Sequence, residues 1–503
     1  RNLLIPGLVL VVTAWLFLLP LPEGMRPQAH RLAAVALLMA GLWITQAIPL
    51  AATSLIPLFL FPLLGIETAA ITASAYANDT LFLYLGGMVI ALGIERWGLH
   101  RRVALNLVAT VGVSPRRLVL GFMASSAGLS MWMSNTACTV MMLPIAMALL
   151  QTIDEDTETH GGDRLSDQLA VPLLLAIAYS ASLGGMTTLV GTPTNAAAIN
   201  IYRKETGDTI SVAEWLLACG PIGLTYLAVT WFVLTRRLPV RSSHQQVLKE
   251  AIAQRVRQLG KMAPAERRML TLFLLTAVLW VFRRRIDIGG AVSIPGWSEP
   301  LCALLERWFP WQLTGKESFT SFWEIGNAKH SVFSDSTVAM AIAVLMFMIP
   351  SGTRDHRGHS QPLMDWPTAT RVPWDMILLF GGGFALANAF TTTGLSEWIG
   401  GVLQGPLHGK PAWLIVAALC LLMTFLTELT SNVATVTTLM PTLLLMAEPL
   451  GIDARLLFVP ACLATSCAFM LPIATPPNAI VFGSGRISGR QMASYGFLLN
   501  IVG

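Results

Sequence analysis

Charge is scarce in this sequence: Asp, Glu, Lys and Arg together make up 12% of its 503 residues, where an ordinary soluble domain carries about 25%. The apolar runs leave no room between them for a soluble domain of ~100 residues. The six cysteines (Cys138, Cys219, Cys302, Cys420, Cys462, Cys467) are scattered and form no CxxC pair, so neither a zinc site nor a disulfide framework is expected. The eight histidines make no HExxH cluster, and His100, His356 and His359 read as solvated loop residues. A net charge of +5 could suggest nucleic acid, but the basic residues sit at the ends of apolar runs, so no nucleic-acid partner is expected.

What is present is apolar: 54% of the residues are hydrophobic and the mean hydropathy is +0.63. Runs near the ~20 residues needed to cross the hydrocarbon core recur from end to end. The chain therefore reads as an all-α polytopic membrane protein. Candidate spans are 3–20, 32–49, 51–65, 80–96, 169–202, 214–235, 268–283, 335–350, 376–392, 456–484 and 491 onward, about eleven in all. The run Leu3 to Leu19 lacks the cleavage site of a signal peptide and is expected to remain as a span.

Alternating these spans from a cytoplasmic Arg1 puts most of the 33 Lys and Arg on one side, including Arg96, Arg101, Arg116, Arg117, the cluster Arg236 to Arg268, Arg371 and Arg486. Arg283, Arg284 and Arg285 fall on the other side, at the start of a long loop, and count against the scheme.

An internal repeat runs through the sequence. "GGMVIALGIERWGL" (Gly86 to Leu99) and "GGFALANAFTTTGL" (Gly382 to Leu395) space GG and GL identically. Downstream, "LSMWMSNTACTVMMLP" matches "TELTSNVATVTTLMP", with each SN at the same interval from its proline (Pro144, Pro441). "GTPTNAAAI" (Gly191 to Ile199) is matched by "ATPPNAIVF" (Ala474 to Phe482), and the polar loop 152–168 accounts for the extra spacing in the first half. The alternation places the two GG segments in opposite directions, so the repeat is inverted, as in many secondary transporters.

Leu118 to Leu150 contains no Asp, Glu, Lys or Arg, yet holds Ser134, Asn135 and Thr136 at its middle. As one helix it would be about 50 Å long, against a core of ~30 Å. Broken at the triplet it becomes a re-entrant hairpin, and 412–447, broken at Ser431 and Asn432, gives the same result. Ser, Asn and Thr cap helix ends that hydrocarbon would otherwise leave unsatisfied. Thr192 before Pro193 and Thr475 before Pro476 read as N-caps with proline at the first helical position. Four broken helices could converge near the midplane. Free N–H groups there attract an anion, and free carbonyls coordinate a small cation. No Lys or Arg lies between Arg117 and Arg164 or between Lys410 and Arg455, so a bound dianion lacks a side-chain counter-ion and a co-bound Na⁺ would compensate it.

At these motifs, "SMWMSNTA", "TELTSNVAT", "GTPTNA" and "LPIATPPNAIVFGSG", the sequence resembles the divalent anion/sodium symporter family, which includes sodium-coupled dicarboxylate and citrate carriers. The resemblance implies a homodimer in which a scaffold (1–103 and 214–396, with loop 284–334) holds the interface. It also implies a transport domain that moves as an elevator: a cytoplasmic-entry hairpin in 104–150, a broken helix in 151–213, a periplasmic-entry hairpin in 397–447, and a broken helix with the last span in 448–503. One sodium site would use Ser130, Ser134, Asn135 and Gly191, the other Thr427, Ser431, Asn432 and Ala474. Substrate carboxylates would meet Asn135, Thr136, Ser431, Asn432 and the Val433 position, with Thr192, Pro193, Thr475 and Pro476 nearby. The implied function is Na⁺-coupled import of C4-dicarboxylates or citrate across the inner membrane, without an organic cofactor and without enzymatic conversion. A sodium-independent exchanger or a sulfate carrier of the same fold is the alternative. Val433 stands where many bacterial members have Thr, which removes a hydroxyl and makes citrate-type ligands more plausible.

Glu428, the one acid in the second hairpin, reads as a fold-holding acceptor of backbone N–H groups. Asp79 reads as an N-cap. Gln245 to Lys261 reads as an interfacial helix.

Overall fold

The computed structural model describes residues 13, 19–45, 47–77, 79–160, 165–239, 245–283, 286–288, 292–298, 300–301, 304, 333–354, 358, 360–395, 397–399, 410–447 and 450–503. The first expected span, His356, His359, Arg284, Arg285 and most of loop 284–334 lie outside these residues.

Helices dominate. In chain order the principal ones are α1 (Pro27–Thr45), α2 (Asp79–Arg96), α3 (Leu99–Val111), α4 (Pro115–Ser130), α5 (Asn135–His160), α6 (Leu165–Met186), α7 (Pro193–Thr206), α8 (Val212–Thr235) and α9 (Gln245–Gln258). They continue with α10 (Pro264–Val281), α11 (Asp335–Met348), α12 (Trp374–Thr393), α13 (Ala412–Thr427), α14 (Asn432–Leu445), α15 (Ala454–Ala464), α16 (Pro476–Phe482) and α17 (Gly489–Val502). Two short antiparallel ladders, β1 (Ile286–Ile288) with β2 (Val292–Ile294) and β3 (Pro350–Arg354) with β4 (Ser360–Pro362), amend the all-α expectation.

Both hairpin segments break at their polar residues. α4 ends at Ser130 and α5 starts at Asn135; α13 ends at Thr427 and α14 starts at Asn432. The two long spans break as well: α6 stops at Met186 before α7 starts at Pro193, and α15 stops at Ala464 before α16 starts at Pro476. From Leu169 to Met186 α6 is apolar and entirely buried, as such a helix must be in a packed bundle. α4 presses on it so closely that a Cβ at Gly184 would lie 2.2 Å from the Ala127 carbonyl oxygen. Small residues permit this backbone approach in membranes. The halves also interlock: α7 packs on α14, and α16 packs on α5.

The repeated GG and GL glycines now have physical reasons. A Cβ at Gly86 would lie 2.7 Å from the Ala339 backbone, and one at Gly382 2.4 Å from the Ser54 carbonyl. Gly98 and Gly394 take φ of +69° and +77°, the left-handed conformation that closes a helix.

Several expectations are corrected. The expected span 51–65 is not one helix: Leu50–Thr53 and Ile56–Leu63 are separate pieces, in a stretch that carries Pro49, Pro57 and Pro62. The polar stretch 152–160, expected as loop, continues α5, whose Asp and Glu residues suit a helix reaching out of the membrane. Among the described residues five helices are long and apolar enough to cross a bilayer, against about eleven expected spans, partly because several expected spans are broken into shorter apolar pieces. His100 is half-buried on α3, its Nδ1 3.2 Å from the Ile94 carbonyl, and is not a loop residue. Asp79 lies in the first turn of α2, and its carboxylate accepts from Ser334 (3.2 Å), Ser336 and Arg203 (3.5 Å).

Arg283, which opposed the charge scheme, is buried and neutralised. Its guanidinium donates to Asp335 at 2.5 and 3.1 Å and to the Phe333 carbonyl at 2.9 Å. A charge paired in this way is held by its partner and not by the water of a loop. α9 forms as expected, with Leu248 and Ile252 buried against α3 and α5.

Candidate functional site

The two hairpin tips are built alike. In the first, the Ser130 hydroxyl donates to Asn135 Oδ1 at 2.6 Å; in the second, Thr427 donates to Asn432 Oδ1 at 2.6 Å. In each case the last residue of the incoming helix meets the first residue of the outgoing one. Each pair therefore closes a turn whose main-chain groups would otherwise be costly in hydrocarbon. Ser134 accepts from the Ala137 N–H at 3.1 Å and so caps α5, whereas Ser431 occupies the equivalent position on α14 without a side-chain cap.

Each tip is anchored to the break of a long helix, by opposite chemistry. The Thr188 hydroxyl donates to the Met131 carbonyl and accepts from the Gly191 N–H at 3.0 Å. That one side chain ties the turn between Ser130 and Ser134 to Gly191 in one cluster of contacts. Gly185 completes it, since a Cβ there would lie 2.3 Å from Asn135 Oδ1.

In the second half the side chain comes from the hairpin. Glu428, 3% exposed, accepts from the Met470 and Leu471 N–H groups at 2.7 and 3.0 Å and from Asn500 Nδ2 at 2.6 Å. Thr427 Oγ1 also lies 3.0 Å from the Thr465 carbonyl. Ala474 joins this group through its N–H bond to the Leu471 carbonyl at 3.2 Å. Glu428 is thus the backbone acceptor expected from sequence, held without a basic partner among the described residues because each of its oxygens takes a main-chain N–H.

The second proline break matches its expected cap and the first does not. Thr475 accepts from the Asn478 N–H at 3.4 Å. The Thr192 side chain makes no cap bond; its hydroxyl reaches that of Thr194 at 3.5 Å.

Asn195 and Asn478, the last residues of "GTPTN" and "ATPPN", were not among the expected site residues. Asn195 Nδ2 donates to the Met186 and Thr188 carbonyls at 3.0 and 2.8 Å. Asn478 Nδ2 donates to the Ala468 and Leu471 carbonyls at 3.0 and 3.1 Å. Each amide folds an unwound segment back on itself and satisfies carbonyls that lack helical partners. The signal was the presence of the same Asn in both copies of the motif. Asn195 Oδ1 also lies 3.5 Å from Cys462 Sγ, which links α7 to α15, the helices beside the two breaks.

Exposure sorts the remaining candidates. Thr136 is exposed; Asn135, Ser431, Asn432 and Pro193 are half-buried; Val433, Thr192 and Thr475 are buried. Pro476 is exposed. A cavity of about 360 Å³ touches Leu189 and Val190 of the first break and extends to Arg203, Asp79, Arg283 and Asp335, a polar approach on one side of the first cluster.

Paired broken helices with neutral-oxygen tips, inside a bundle of apolar spans, define a polytopic membrane carrier. The family comparison agrees: the sodium:sulfate symporter transmembrane region matches residues 2–503. The chain belongs to the divalent anion:sodium symporter family and is a multi-pass protein of the cell membrane. It is 37% identical over 500 residues to proteins named sodium-dependent dicarboxylate transporter SdcS, from Staphylococcus aureus strains bovine RF122 / ET3-1 and NCTC 8325 / PS 47. The match covers 98% of this chain and 88% of each relative. Among solved structures, MtrF of Neisseria gonorrhoeae aligns with a TM-score of 0.52 at 13% identity, over 98% of this chain and 96% of that one, a likeness of fold alone.

Proposed function

We propose that this chain is a secondary active carrier that brings C4-dicarboxylates such as succinate, malate or fumarate, or citrate, into the cell together with Na⁺. The observation that carries the reading is the matched pair of tips, Ser130–Asn135 and Thr427–Asn432, each tied to an unwound segment. Neutral hydroxyl, amide and carbonyl oxygens suit a small hard cation, and the start of a following half-helix suits a carboxylate. The relatives named sodium-dependent dicarboxylate transporters support the same substrate and ion.

In this reading Na⁺ is cargo. One ion takes Ser130, Ser134, Asn135 and Gly191; the other takes Thr427, Ser431, Asn432 and Ala474. The substrate carboxylates lie on Asn135 and Thr136 at one tip and on Ser431, Asn432 and the Val433 position at the other, with Thr192, Pro193, Thr475 and Pro476 behind them. Without a lysine or arginine in either hairpin, the dianion depends on the bound sodium for compensation, and the two fluxes are coupled for that reason. Two inverted halves would carry the site across as an elevator against a dimeric scaffold. The protein moves its ligand and does not convert it.

The sulfate reading is favoured by one finding, the name of the matching family. Uptake of radiolabelled succinate, citrate and sulfate into proteoliposomes, with and without an inward Na⁺ gradient, separates the readings. The proposal expects Na⁺-driven accumulation of unchanged succinate or citrate, competed weakly by sulfate. Succinate uptake that ignores Na⁺ but needs internal dicarboxylate would overturn it in favour of an exchanger.

A further inference from the structure

Beside the first hairpin, α4, α6 and α8 enclose a groove of about 460 Å³. Its floor is Gly184 of α6 and Thr187 of the break that follows, and its walls carry Ala124 and Gly128 on one side and Gly220 and Leu227 on the other. The groove exists because glycines bring the three helices together at two points and leave the space between them unfilled. A Cβ at Gly184 would lie 2.2 Å from the Ala127 carbonyl oxygen, and one at Gly223 2.3 Å from the Thr187 methyl. By contrast a Cβ at Gly128 would meet nothing within 4 Å, and one at Gly220 would meet only Leu216, at 3.8 Å. The latter two glycines face open space.

The lining asks for no hydrogen bond. Its hydroxyl, Thr187, already donates to the Gly184 carbonyl at 2.6 Å, and its indole, Trp231, donates to the Arg116 carbonyl at 3.0 Å. A polar solute would find no partner, whereas an alkyl chain loses nothing. Leu224 on the rim is 69% exposed, and its helix is one of the five able to span the bilayer, so the groove opens toward lipid.

One end of the groove is cationic. Trp231 and Leu120 mark that end, where an aromatic belt residue belongs. Arg117 lies one turn before Leu120 on α4, and Arg236 and Arg237 follow α8; all three are exposed. The two ends are held together by the Arg116 Nε bond to the Leu238 carbonyl at 3.0 Å. We propose that this groove is a binding site for an anionic phospholipid, with one acyl chain along Gly128 and Gly220 and the phosphate against Arg117, Arg236 and Arg237. Basic clusters beside transmembrane grooves recognise lipid head groups in this manner.

The site borders the transport machinery, since Met131 both lines the groove and offers its carbonyl to Thr188. Its test does not depend on the substrate. The purified protein is incubated with equal concentrations of 1-palmitoyl-2-oleoyl phosphatidylglycerol or phosphatidylcholine, and retained lipid is counted by native mass spectrometry. The wild type is expected to keep at least one more phosphatidylglycerol than phosphatidylcholine per protomer. R117Q/R236Q/R237Q should remove that preference, at roughly fivefold weaker binding for each arginine. Gly220→Leu, which fills open space, should lower phosphatidylglycerol retention by one. Gly128→Leu fills the opposite wall and gives the same reading if the first variant fails to fold. Equal retention of the two lipids by the wild type, or unchanged retention in a well-folded filled variant, would overturn the proposal.

Discussion

Glu428 shows how much one side chain can hold at membrane depth. Removing it would orphan the Met470 and Leu471 N–H groups and the Asn500 amide together. A hydrogen bond to a charged group contributes about 1.5–3 kcal/mol, and a buried donor left unmade costs a similar amount. Glu428→Gln keeps the shape but turns an amide NH2 donor toward one of those N–H groups, so it is expected to lower stability by about 2 kcal/mol and Glu428→Ala by more. Detergent-solubilised melting curves check both, and an unchanged midpoint in Glu428→Ala would remove its anchoring role. Asn135→Ala and Asn432→Ala are expected to abolish Na⁺-driven uptake while the protein remains folded, because each amide oxygen is the partner of a tip hydroxyl. Val433 is 5% exposed with its carbonyl 2.9 Å from the Thr437 hydroxyl, and Val433→Thr should shift preference among dicarboxylates with little change in sodium dependence. A competition series that ranks substrates identically in wild type and variant would show that the position does not read them. The tip residues were legible in sequence because polar triplets stand out in charge-free runs. Asn195 and Asn478 were not, because their partners are main-chain carbonyls, and a carbonyl left over by an unwound segment leaves no mark in the residue names.

At the scale of elements, the glycines decide which helices touch. Gly185→Ala should raise the sodium requirement of uptake about tenfold or abolish it, since the new methyl would overlap Asn135 Oδ1 at 2.3 Å. Overpacking of this kind costs about 1–3 kcal/mol. Uptake measured across a sodium titration checks this, and a wild-type curve would mean that the Asn135 amide can turn away without loss. The hairpins and proline breaks were legible because a helix of that length cannot fit the bilayer, a constraint that needs no knowledge of neighbours. The division of 51–65 and the continuation of α5 to His160 were not. The first turns on Pro57, which starts the second piece within an otherwise span-like run, and the second on Asp and Glu, which are polar enough to read as loop yet compatible with a helix in water.

Over the whole molecule, duplication supplies the economy of the design. One arrangement of hairpin and broken helix, used twice, yields two neutral-oxygen clusters joined through Asn195 and Cys462. The interlocking of α7 with α14 and of α16 with α5 makes the two clusters parts of one unit, which suits movement as a body. The GG and GL spacing made the duplication legible, while the pairing of the halves across the repeat came only from the fold. The central claim is that sodium ions and main-chain dipoles together hold a dianion that has no cationic side chain of its own. Calorimetric titration of succinate into the purified protein, in NaCl and then in KCl at equal ionic strength, tests it most directly. The account predicts binding in NaCl that strengthens steeply with sodium concentration, no binding in KCl, and none in Asn135→Ala or Asn432→Ala. Equal affinity in the two salts would contradict it.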